Sequence, residues 1–313
     1  MADSEPIIEC VVNINHADNK IFLNKLIGQI NTLGANVVHI DTGKDAQRTV
    51  LTIISGLEPM RLVLHELYNS CLRDQDITSY SGNHPSAGIV DVVPFIPIRG
   101  IDMIELKKWV DRWAEQISET FGVPIVYYGQ IASPKNQEYL SDIRRGGAEQ
   151  AADRLKSGDL TANYGPKDSH SALGISSWTI RDYMVAYNVS LNSTELKVAK
   201  EIAKEIRSRR QKETRLQNIR VLGWLTKEYG CVQISTNLYS IKEMTMKSFF
   251  NIVVDVSRKY GVDVIGSELI GMTPLKGMAD DCTSENVEKM SEYLGLSCHA
   301  PFVIRERILE YVI

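Results

Sequence analysis

The chain has 313 residues, a formal net charge of −4, 43% hydrophobic residues and 24% charged residues. This composition is typical of a globular protein with one large or two smaller domains, and the weak charge favours neither nucleic acid nor an anionic membrane as a partner. The five scattered cysteines, the acidic start without a signal peptide and the lack of an apolar run of about 20 residues predict a cytoplasmic protein without disulfides or a cysteine-based zinc site.

Hydrophobic periodicity in the first hundred residues predicts six elements in the order βαββαβ. The strands are predicted at 7–14, 36–42, 48–55 and 89–98, and the helices at 20–33 and 58–73. A helix at 102–120 and a strand at 123–129 follow. Residues 133–173 are rich in Gly, Ser and Asp and contain one short helix, which is typical of a linker or a ligand-binding loop.

The same order of elements returns in the second half of the chain. The strands are predicted at 183–191, 219–226, 231–238 and 262–269, and the helices at 193–209 and 244–260. We therefore predict an α+β fold of duplicated ferredoxin-like (βαββαβ) subdomains, residues 1–180 with the connecting loop and residues 181–313. Since ligand sites favour domain interfaces, the expected ligand groove lies between them.

Among six histidines, His84 stands out by its surroundings. It lies in a loop between a predicted helix and a predicted strand, with Gly82 and Gly88 around it and Pro85 after it. Glycine lets the backbone approach a ligand and proline fixes φ, so a rigid turn would present the imidazole. Histidine, with an ordinary pKa of about 6.5, also suits proton transfer near neutral pH. A loop histidine that only caps a turn is the alternative on these residues alone.

Two other charged stretches have both a structural and a functional interpretation. Asp41 and Arg48 fall at facing ends of neighbouring predicted strands, which indicates either a site pair or a salt bridge of little energetic value. A basic run from Lys204 to Arg220 is either a solvated helix face or a receptor for a polyanionic tail. The sequence contains no P-loop, G-x-G-x-x-G, H-E-x-x-H or G-x-S-x-G motif.

The residues around His84 belong to a longer motif. It comprises Gly82-Asn83-His84-Pro85, Gly88 and the run Asp91-Val92-Val93-Pro94-Phe95-Ile96-Pro97-Ile98-Arg99-Gly100. This motif resembles the signature of glutamate formiminotransferases, G-E-H-P-x-x-G-x-x-D-V-x-P-F-I-P-V-R-G. Shorter matches occur in both halves of the chain: Asp41-Thr42-Gly43, Arg48-Thr49-Val50, Tyr128-Gly129, Tyr164-Gly165-Pro166, Ala186-Tyr187-Asn188, Ser235-Thr236-Asn237-Leu238, Gly266-Ser267-Glu268-Leu269-Ile270-Gly271 and Pro274-Leu275-Lys276.

This resemblance implies transfer of a formimino group from N-formimino-L-glutamate to N5 of tetrahydrofolate, the co-substrate, without a metal. It implies that His84 is the general acid/base, and we expect Asp41 to orient its imidazole. Residues resembling the folate-contacting stretches are Gly165, Pro166, Lys167 and Gly174 in one loop and Arg215, Arg220 and Gly223 in another. As clamps for substrate carboxylates we predict Arg48, Arg99 and Arg181, because a guanidinium offers two parallel N–H donors. By this resemblance we expect the transferase alone, without the cyclodeaminase domain of the bifunctional enzymes.

The chain departs from the family pattern at two positions close to the proposed reaction. The family usually has Arg two residues after the catalytic histidine, where this chain has Ser86, and N-F-S-E-G near the first strand, where His16 replaces the acid. Alternatives are therefore a one-carbon transferase with another donor, formimino-glycine or 5-formyl-tetrahydrofolate with glutamate, or a folate-binding protein with impaired catalysis. The expected partners are folate and a small formimino or formyl donor, with neither nucleic acid nor membrane. A homodimer is compatible with the sequence.

Overall fold

The computed structural model describes residues 5–15, 19–43, 47–82 and 85–313. The chain divides into two compact units, Met1–Arg181 and Asp182–Ile313. Each unit is a mixed α+β structure with its own sheet and its own hydrophobic core. Within the described residues, no helix combines the length and the apolar character needed to cross a membrane.

The first unit is built on a six-stranded sheet with the order β2-β3-β1-β4-β6-β5. Neighbouring strands from β2 to β4 are antiparallel, whereas β6 runs parallel to both β4 and β5. The elements are β1 (Ile7–Asn15), α1 (Lys20–Thr32), β2 (Asn36–Gly43), β3 (Arg48–Gly56), α2 (Leu57–Asp74), β4 (Val90–Arg99), α3 (Met103–Phe121), β5 (Ile125–Tyr127), α4 (Leu140–Ile143), α5 (Gly147–Ser157) and β6 (Ser176–Ile180).

Alternation along β1 gives the first sheet two different faces. Ile8, Cys10, Val12 and Ile14 enter the hydrophobic core, which also contains the buried sides of α1, α2 and α3. Because successive side chains of a strand point to opposite faces, Glu9, Val11, Asn13 and Asn15 lie on the other face, which we call the second face of the first sheet. The second face carries most of the polar residues discussed below.

Strand β6 was not predicted from the sequence. Together with β5, it extends the first sheet beyond the four strands of a βαββαβ unit. Its sequence, Ser-Ser-Trp-Thr-Ile, has too few apolar residues to show periodicity. Tertiary contacts hold it in place. The Trp178 indole donates to the Tyr68 hydroxyl at 2.9 Å, and the Ser176 hydroxyl donates to the Val90 carbonyl at 2.6 Å. These buried bonds connect β6 to α2 and β4.

The second unit contains a four-stranded antiparallel sheet with the order β10-β7-β9-β8. Its elements are β7 (Val185–Leu191), α6 (Leu196–Ser208), β8 (Ile219–Thr226), β9 (Cys231–Leu238), α7 (Met246–Lys259), β10 (Val264–Ile270), α8 (Leu275–Met278), α9 (Val287–Leu294) and α10 (Ile304–Arg307). The first six elements run βαββαβ. Their strands lie in the order β10, β7, β9 and β8, which corresponds to the order β4, β1, β3 and β2 in the first unit. The bounds of β8 and β9 are those predicted from the sequence.

Glu9 is an unusual residue on the second face of the first sheet. Its register partners are Ile54 on β3 and Ile96 on β4, and Glu9 itself is only 5% exposed. Burial raises the pKa of its carboxyl from an ordinary 4.5 to about 7, and the nearby positive charge of Arg181 only partly opposes this. The ionised carboxylate is therefore destabilising in the folded protein.

We predict that Glu9→Gln changes how folding stability depends on pH. A folded-state pKa raised above the unfolded value stabilises the protein below pH 4.5, and this contribution is lost as pH rises through about 7. The free energy of unfolding of Glu9→Gln, relative to the parent, should thus increase by about 2.5 kcal/mol between pH 5 and pH 8. Urea unfolding across this range measures it, and a constant difference would contradict the raised pKa.

Candidate active site

The catalytic candidate His84 lies outside the described residues, as does His16, but both ends of the His84 loop are described. Before the histidine, the backbone N–H and the hydroxyl of Ser81 donate to Gln47 Oε1 at 3.1 and 3.2 Å. Gln47 has a φ of 45°, so the chain turns sharply just before Arg48. The loop that carries His84 is therefore attached to the start of β3, next to a predicted clamp residue.

After the histidine, the loop is closed by a buried hydrogen-bond network around Ser86, which is 3% exposed. Its hydroxyl accepts from Asn15 Nδ2 and donates to the Gly88 carbonyl at 2.9 Å. Asn15 Nδ2 also donates to that carbonyl, at 2.5 Å. Ser86 thus anchors the loop to the end of β1.

Two glycines allow the loop at 165–174 to pass directly against the His84 loop. Gly88 and Gly174 form a bridge, and a Cβ added to Gly88 would lie 2.3 Å from the Ile175 carbonyl oxygen. A Cβ on Gly174, which has a φ of +72°, would lie 2.4 Å from the Ala87 carbonyl oxygen. The close approach requires glycine at both positions, and Gly174 is thereby brought to the site.

His170 is part of the same contact and is partly buried. Its Nδ1 accepts backbone N–H donors from Ala172 and Leu173 at 3.1 and 3.0 Å. Partial burial lowers the pKa of His170 below its ordinary value. A neutral imidazole that accepts two hydrogen bonds stabilises the turn before Gly174, so this histidine has a structural role.

A buried ion pair lies beneath the His84 loop. Asp91, which is fully buried, accepts from the Ala87 backbone N–H at 3.1 Å and from Arg144 Nη2 at 2.5 Å. Arg144 is 8% exposed, and its Nε has no hydrogen-bond partner within the described chain. Sequence reasoning missed Arg144. The signal that could have indicated it is Asp91, an acid within an apolar strand, because a buried carboxylate needs a counter-charge.

Arg48 is close enough to this pair to interact with it electrostatically. Burial and the positive charge of Arg144 lower the pKa of Arg48, while Asp91, Tyr80 and Asp41 oppose the shift. Arg48 also pairs with Asn15 in the register of β1 and β3, so both side chains lie on the second face. Arg48 and Arg144 thus lie close to the carboxylates of Asp91 and Asp41 beside the His84 loop. A guanidinium group at this place is suited to bind a carboxylate ligand.

Asp41 lies on the same face, on the neighbouring strand. It pairs with Val50, two residues from Arg48, and its charge is one of those that act on Arg48. The structure therefore brings Asp41, Arg48 and Gly174 to the edges of the His84 loop. Within the described residues, no group of three or more His, Cys, Asp and Glu side chains is arranged to hold a metal ion.

Other predicted site residues of the first unit lie elsewhere. Arg99 is exposed at the far end of β4, opposite Ile7, whereas Asp91 is near the other end of the strand. Arg181 follows β6, and its backbone N–H donates to the Phe95 carbonyl at 3.0 Å, towards the same end as Arg99. Exposed loop positions are occupied by Gly165, Pro166 and Lys167.

The three predicted residues of the second unit have local structural partners. Arg215 is exposed and pairs with Glu213 at 3.1 Å, and the Arg220 guanidinium lies 5.9 Å from the centre of the Tyr239 ring. A Cβ on Gly223 would lie 2.3 Å from the Ala199 backbone, because α6 packs directly on β8. Gly223 is therefore required for helix-to-strand packing.

We predict that Asp91→Asn destabilises the protein by about 3–5 kcal/mol, because it leaves the buried Arg144 without a counter-charge. Urea unfolding at neutral pH gives the value. As a control, Asp281→Asn removes a carboxylate that is 68% exposed and pairs with Lys247 at 3.3 Å. That change should cost less than about 1 kcal/mol, and equal effects of the two substitutions would show that the Asp91–Arg144 pair contributes little.

Comparison with known proteins covers both units. The model of the N-terminal subdomain of the formiminotransferase domain matches residues 7–181, and the formiminotransferase domain model matches residues 186–313. A formimidoyltransferase-cyclodeaminase of Mus musculus is 28% identical over 326 residues, which cover 98% of this chain and 60% of the relative. The chain thus spans about three fifths of the length of that relative.

Two shorter relatives are covered almost completely. A glutamate formimidoyltransferase of Streptococcus pyogenes is 28% identical over 276 residues, covering 88% of this chain and 91% of the relative. One of Thermoplasma acidophilum is 25% identical over 279 residues, covering 88% and 90%. These matches confirm the resemblance seen around His84. Since the family models match residues 7–181 and 186–313, this chain belongs to the formiminotransferase domain family.

Proposed function

We propose that the protein is a folate-dependent glutamate formimidoyltransferase, which moves the formimino group of N-formimino-L-glutamate to N5 of tetrahydrofolate. The observation that carries this proposal is the family match over both units, which includes the His84 motif. The Arg48 guanidinium beside the His84 loop supports it, since both substrates carry carboxylates. In the enzyme we assign residues 1–180 and 181–313 to the N- and C-terminal subdomains.

We also propose that the two units are duplicated ferredoxin-like subdomains. The support is the shared strand order: β2-β3-β1-β4 in the first sheet and β8-β9-β7-β10 in the second, each with antiparallel neighbours. In the first unit, β5 and β6 extend this arrangement on one side. Duplication would explain why two different family models each describe one half of the chain.

The reaction needs proton transfer at the formimino carbon. Tetrahydrofolate supplies N5, the nitrogen that receives the group, and the glutamate nitrogen must leave as a protonated amine. We assign the proton transfer to His84, as general base for the attacking nitrogen and general acid for the leaving one. Asp41 would orient the imidazole and favour its charged form. Arg48 would bind a substrate carboxylate. The rest of the rate enhancement would come from holding the two substrates in the reactive geometry.

The described residues fit a folate co-substrate. Five side-chain polar atoms are buried without a hydrogen-bond partner in the described chain, and two of them are Arg144 Nε and Ser177 Oγ. Ser177 pairs with Val92, so it belongs to the second face of the first sheet. Buried polar groups in native proteins are almost always paired, and a bound folate would be one partner for these two atoms. We place Gly165, Pro166, Lys167, Gly174, Arg215, Arg220 and Gly223 in the folate-contacting stretches and keep Arg99 and Arg181 as carboxylate clamps.

Further properties follow from the proposed activity. Folate and a small formimino donor would be the partners, and the enzyme would act in the cytoplasm in one-carbon metabolism and histidine degradation. The homodimer remains a prediction from the sequence. None of these properties requires a metal.

A second candidate function is transfer from another donor, and Ser86 is the observation that favours it. Where the family usually has Arg, this chain has a buried hydroxyl that anchors Asn15. One cation near the donor is therefore missing, and a donor without a side-chain carboxylate, formimino-glycine, would need one cation less. The other candidates are 5-formyl-tetrahydrofolate with glutamate, and folate binding without catalysis.

A steady-state assay with tetrahydrofolate and a panel of donors tests the proposed function. We expect kcat/KM for N-formimino-L-glutamate to exceed that for N-formimino-glycine by about 10-fold or more, the value of one charged hydrogen bond. Preference for the glycine compound would favour the second candidate. Folate binding without turnover of any donor, including 5-formyl-tetrahydrofolate with glutamate, would show a folate-binding protein.

We predict that His84→Ala lowers kcat by about 10²- to 10⁴-fold, because the proton transfer loses its acid/base group. The affinity for 5-formyl-tetrahydrofolate, measured by tryptophan fluorescence, should remain nearly constant. His65→Ala is the matched control, since His65 is exposed on α2 and contacts the Phe121 ring at 5.0 Å between centroids. Unchanged turnover in His84→Ala would refute the catalytic assignment.

A further inference from the structure

Glu9 is a buried carboxyl that the proposed mechanism does not use. It makes neither a hydrogen bond nor an ion pair within the described chain, although it is only 5% exposed. Its register partners Ile54 and Ile96 are 4% and 0% exposed and bring no polar group. A carboxyl without a partner in such surroundings is costly, and native proteins rarely keep one unless a ligand or a reaction requires it.

The charged groups around Glu9 are few. Arg181, directly after β6, acts on it electrostatically, and the Arg181 backbone N–H bonds to the Phe95 carbonyl, one residue from the register partner of Glu9. On β1, the neighbouring Cys10 belongs to the hydrophobic core, and burial raises its thiol pKa beyond the physiological range. The elements β3 and β4 contribute isoleucines. A carboxyl and a guanidinium thus share one end of the second face.

The second face resembles folate in length and in the order of its chemistry. Asn15 follows Glu9 by six positions on β1, which corresponds to a distance of about 20 Å along the strand. At the Asn15 end lie Arg48 and the His84 loop, and at the other end lie Glu9 and Arg181. Between them lie Val11, Val50 and Val92, with the polar Asn13 and Thr52 beside them. Folate likewise has the reacting pterin at one end, an aromatic ring in the middle and an acidic glutamyl group at the other.

We propose that Glu9 and Arg181 together form the subsite for a carboxylate of the glutamyl end of folate. The Arg181 guanidinium donates N–H bonds to that carboxylate. Glu9 binds it as the neutral acid and donates its O–H, so that ligand binding is accompanied by uptake of one proton when Glu9 is ionised beforehand. This inference rests on the proposed function and goes beyond it, because it names the part of the co-substrate and its dependence on protons.

The environment of Glu9 makes this proton-linked binding effective near neutral pH. Burial raises its carboxyl pKa to about 7, so both forms are populated in the free protein. A ligand carboxylate beside Glu9 would raise that pKa further, because two like charges in a buried site repel each other. Deprotonation turns a hydrogen-bond donor into a repelling charge, and affinity should fall on the alkaline side.

The test is the affinity for 5-formyl-tetrahydrofolate, followed by tryptophan fluorescence between pH 6 and pH 8.5. In the parent protein, uptake of one proton by a group of pKa about 7 predicts roughly 30-fold weaker binding at the upper pH. Glu9→Gln keeps an N–H donor without a titrating proton, so its affinity should be nearly independent of pH. Arg181→Met should weaken binding about 10-fold or more at every pH.

Two controls isolate the subsite. Glu119→Gln removes an exposed carboxylate from α3, on the other side of the first sheet, and should leave the pH profile of the parent unchanged. The ligand 5-formyl-tetrahydropterin lacks the aminobenzoyl-glutamate, so its affinity should not depend on pH in either the parent or Glu9→Gln.

The possible outcomes separate the two proposals. If the parent and Glu9→Gln bind 5-formyl-tetrahydrofolate with the same pH profile, the subsite is wrong while folate binding and the proposed function stand. If the truncated pterin shows the same pH dependence as the full ligand, the proton is taken up elsewhere and the subsite is again wrong. If the parent binds neither 5-formyl-tetrahydrofolate nor 5-formyl-tetrahydropterin at any pH, the proposed function itself fails.

Discussion

The Asp91 carboxylate is the constraint on which the rest of the first unit's site depends. It is fully buried, so it must be paired, and it accepts one bond from the Ala87 backbone and one from Arg144. The register of β1 and β4 places Asn13 opposite Val92 but Ile14 opposite Val90, so Asp91 is the extra residue of a β-bulge. One carboxylate therefore holds the start of β4, the end of the His84 loop and the residue after α4.

Around this point the backbone elements approach more closely than side chains would allow. Gly88 and Gly174 meet without a Cβ between them, and Asn15 and Ser86 satisfy the polar groups that this contact buries. Ser86 therefore has a structural role, because it anchors the His84 loop to Asn15. At the same place, the guanidinium groups of Arg48 and Arg144 interact with the carboxylates of Asp91 and Asp41.

The second face of the first sheet is polar at both ends for different reasons. At the Asn15 end the polar groups are bonded to one another and hold a loop, whereas at the Glu9 end a buried carboxyl has no partner in the described chain. Hydrogen-bonded groups stabilise the fold, and unpaired buried groups destabilise it. The Glu9 end consequently costs folding free energy, which is typical of a place that serves a ligand.

The sequence by itself determined most of the regular elements, because strands and amphipathic helices leave a local periodic pattern. Strands β8 and β9 were predicted at their observed bounds, and the His84 motif sufficed to identify the family. Only the tertiary structure decided that Ser176–Ile180 joins the first sheet, that Arg144 pairs with Asp91, that Gly223 serves helix packing and that Glu9 is buried beside Arg181. These features join residues far apart in the chain, and burial and pairing at such distances leave no periodic trace in the sequence.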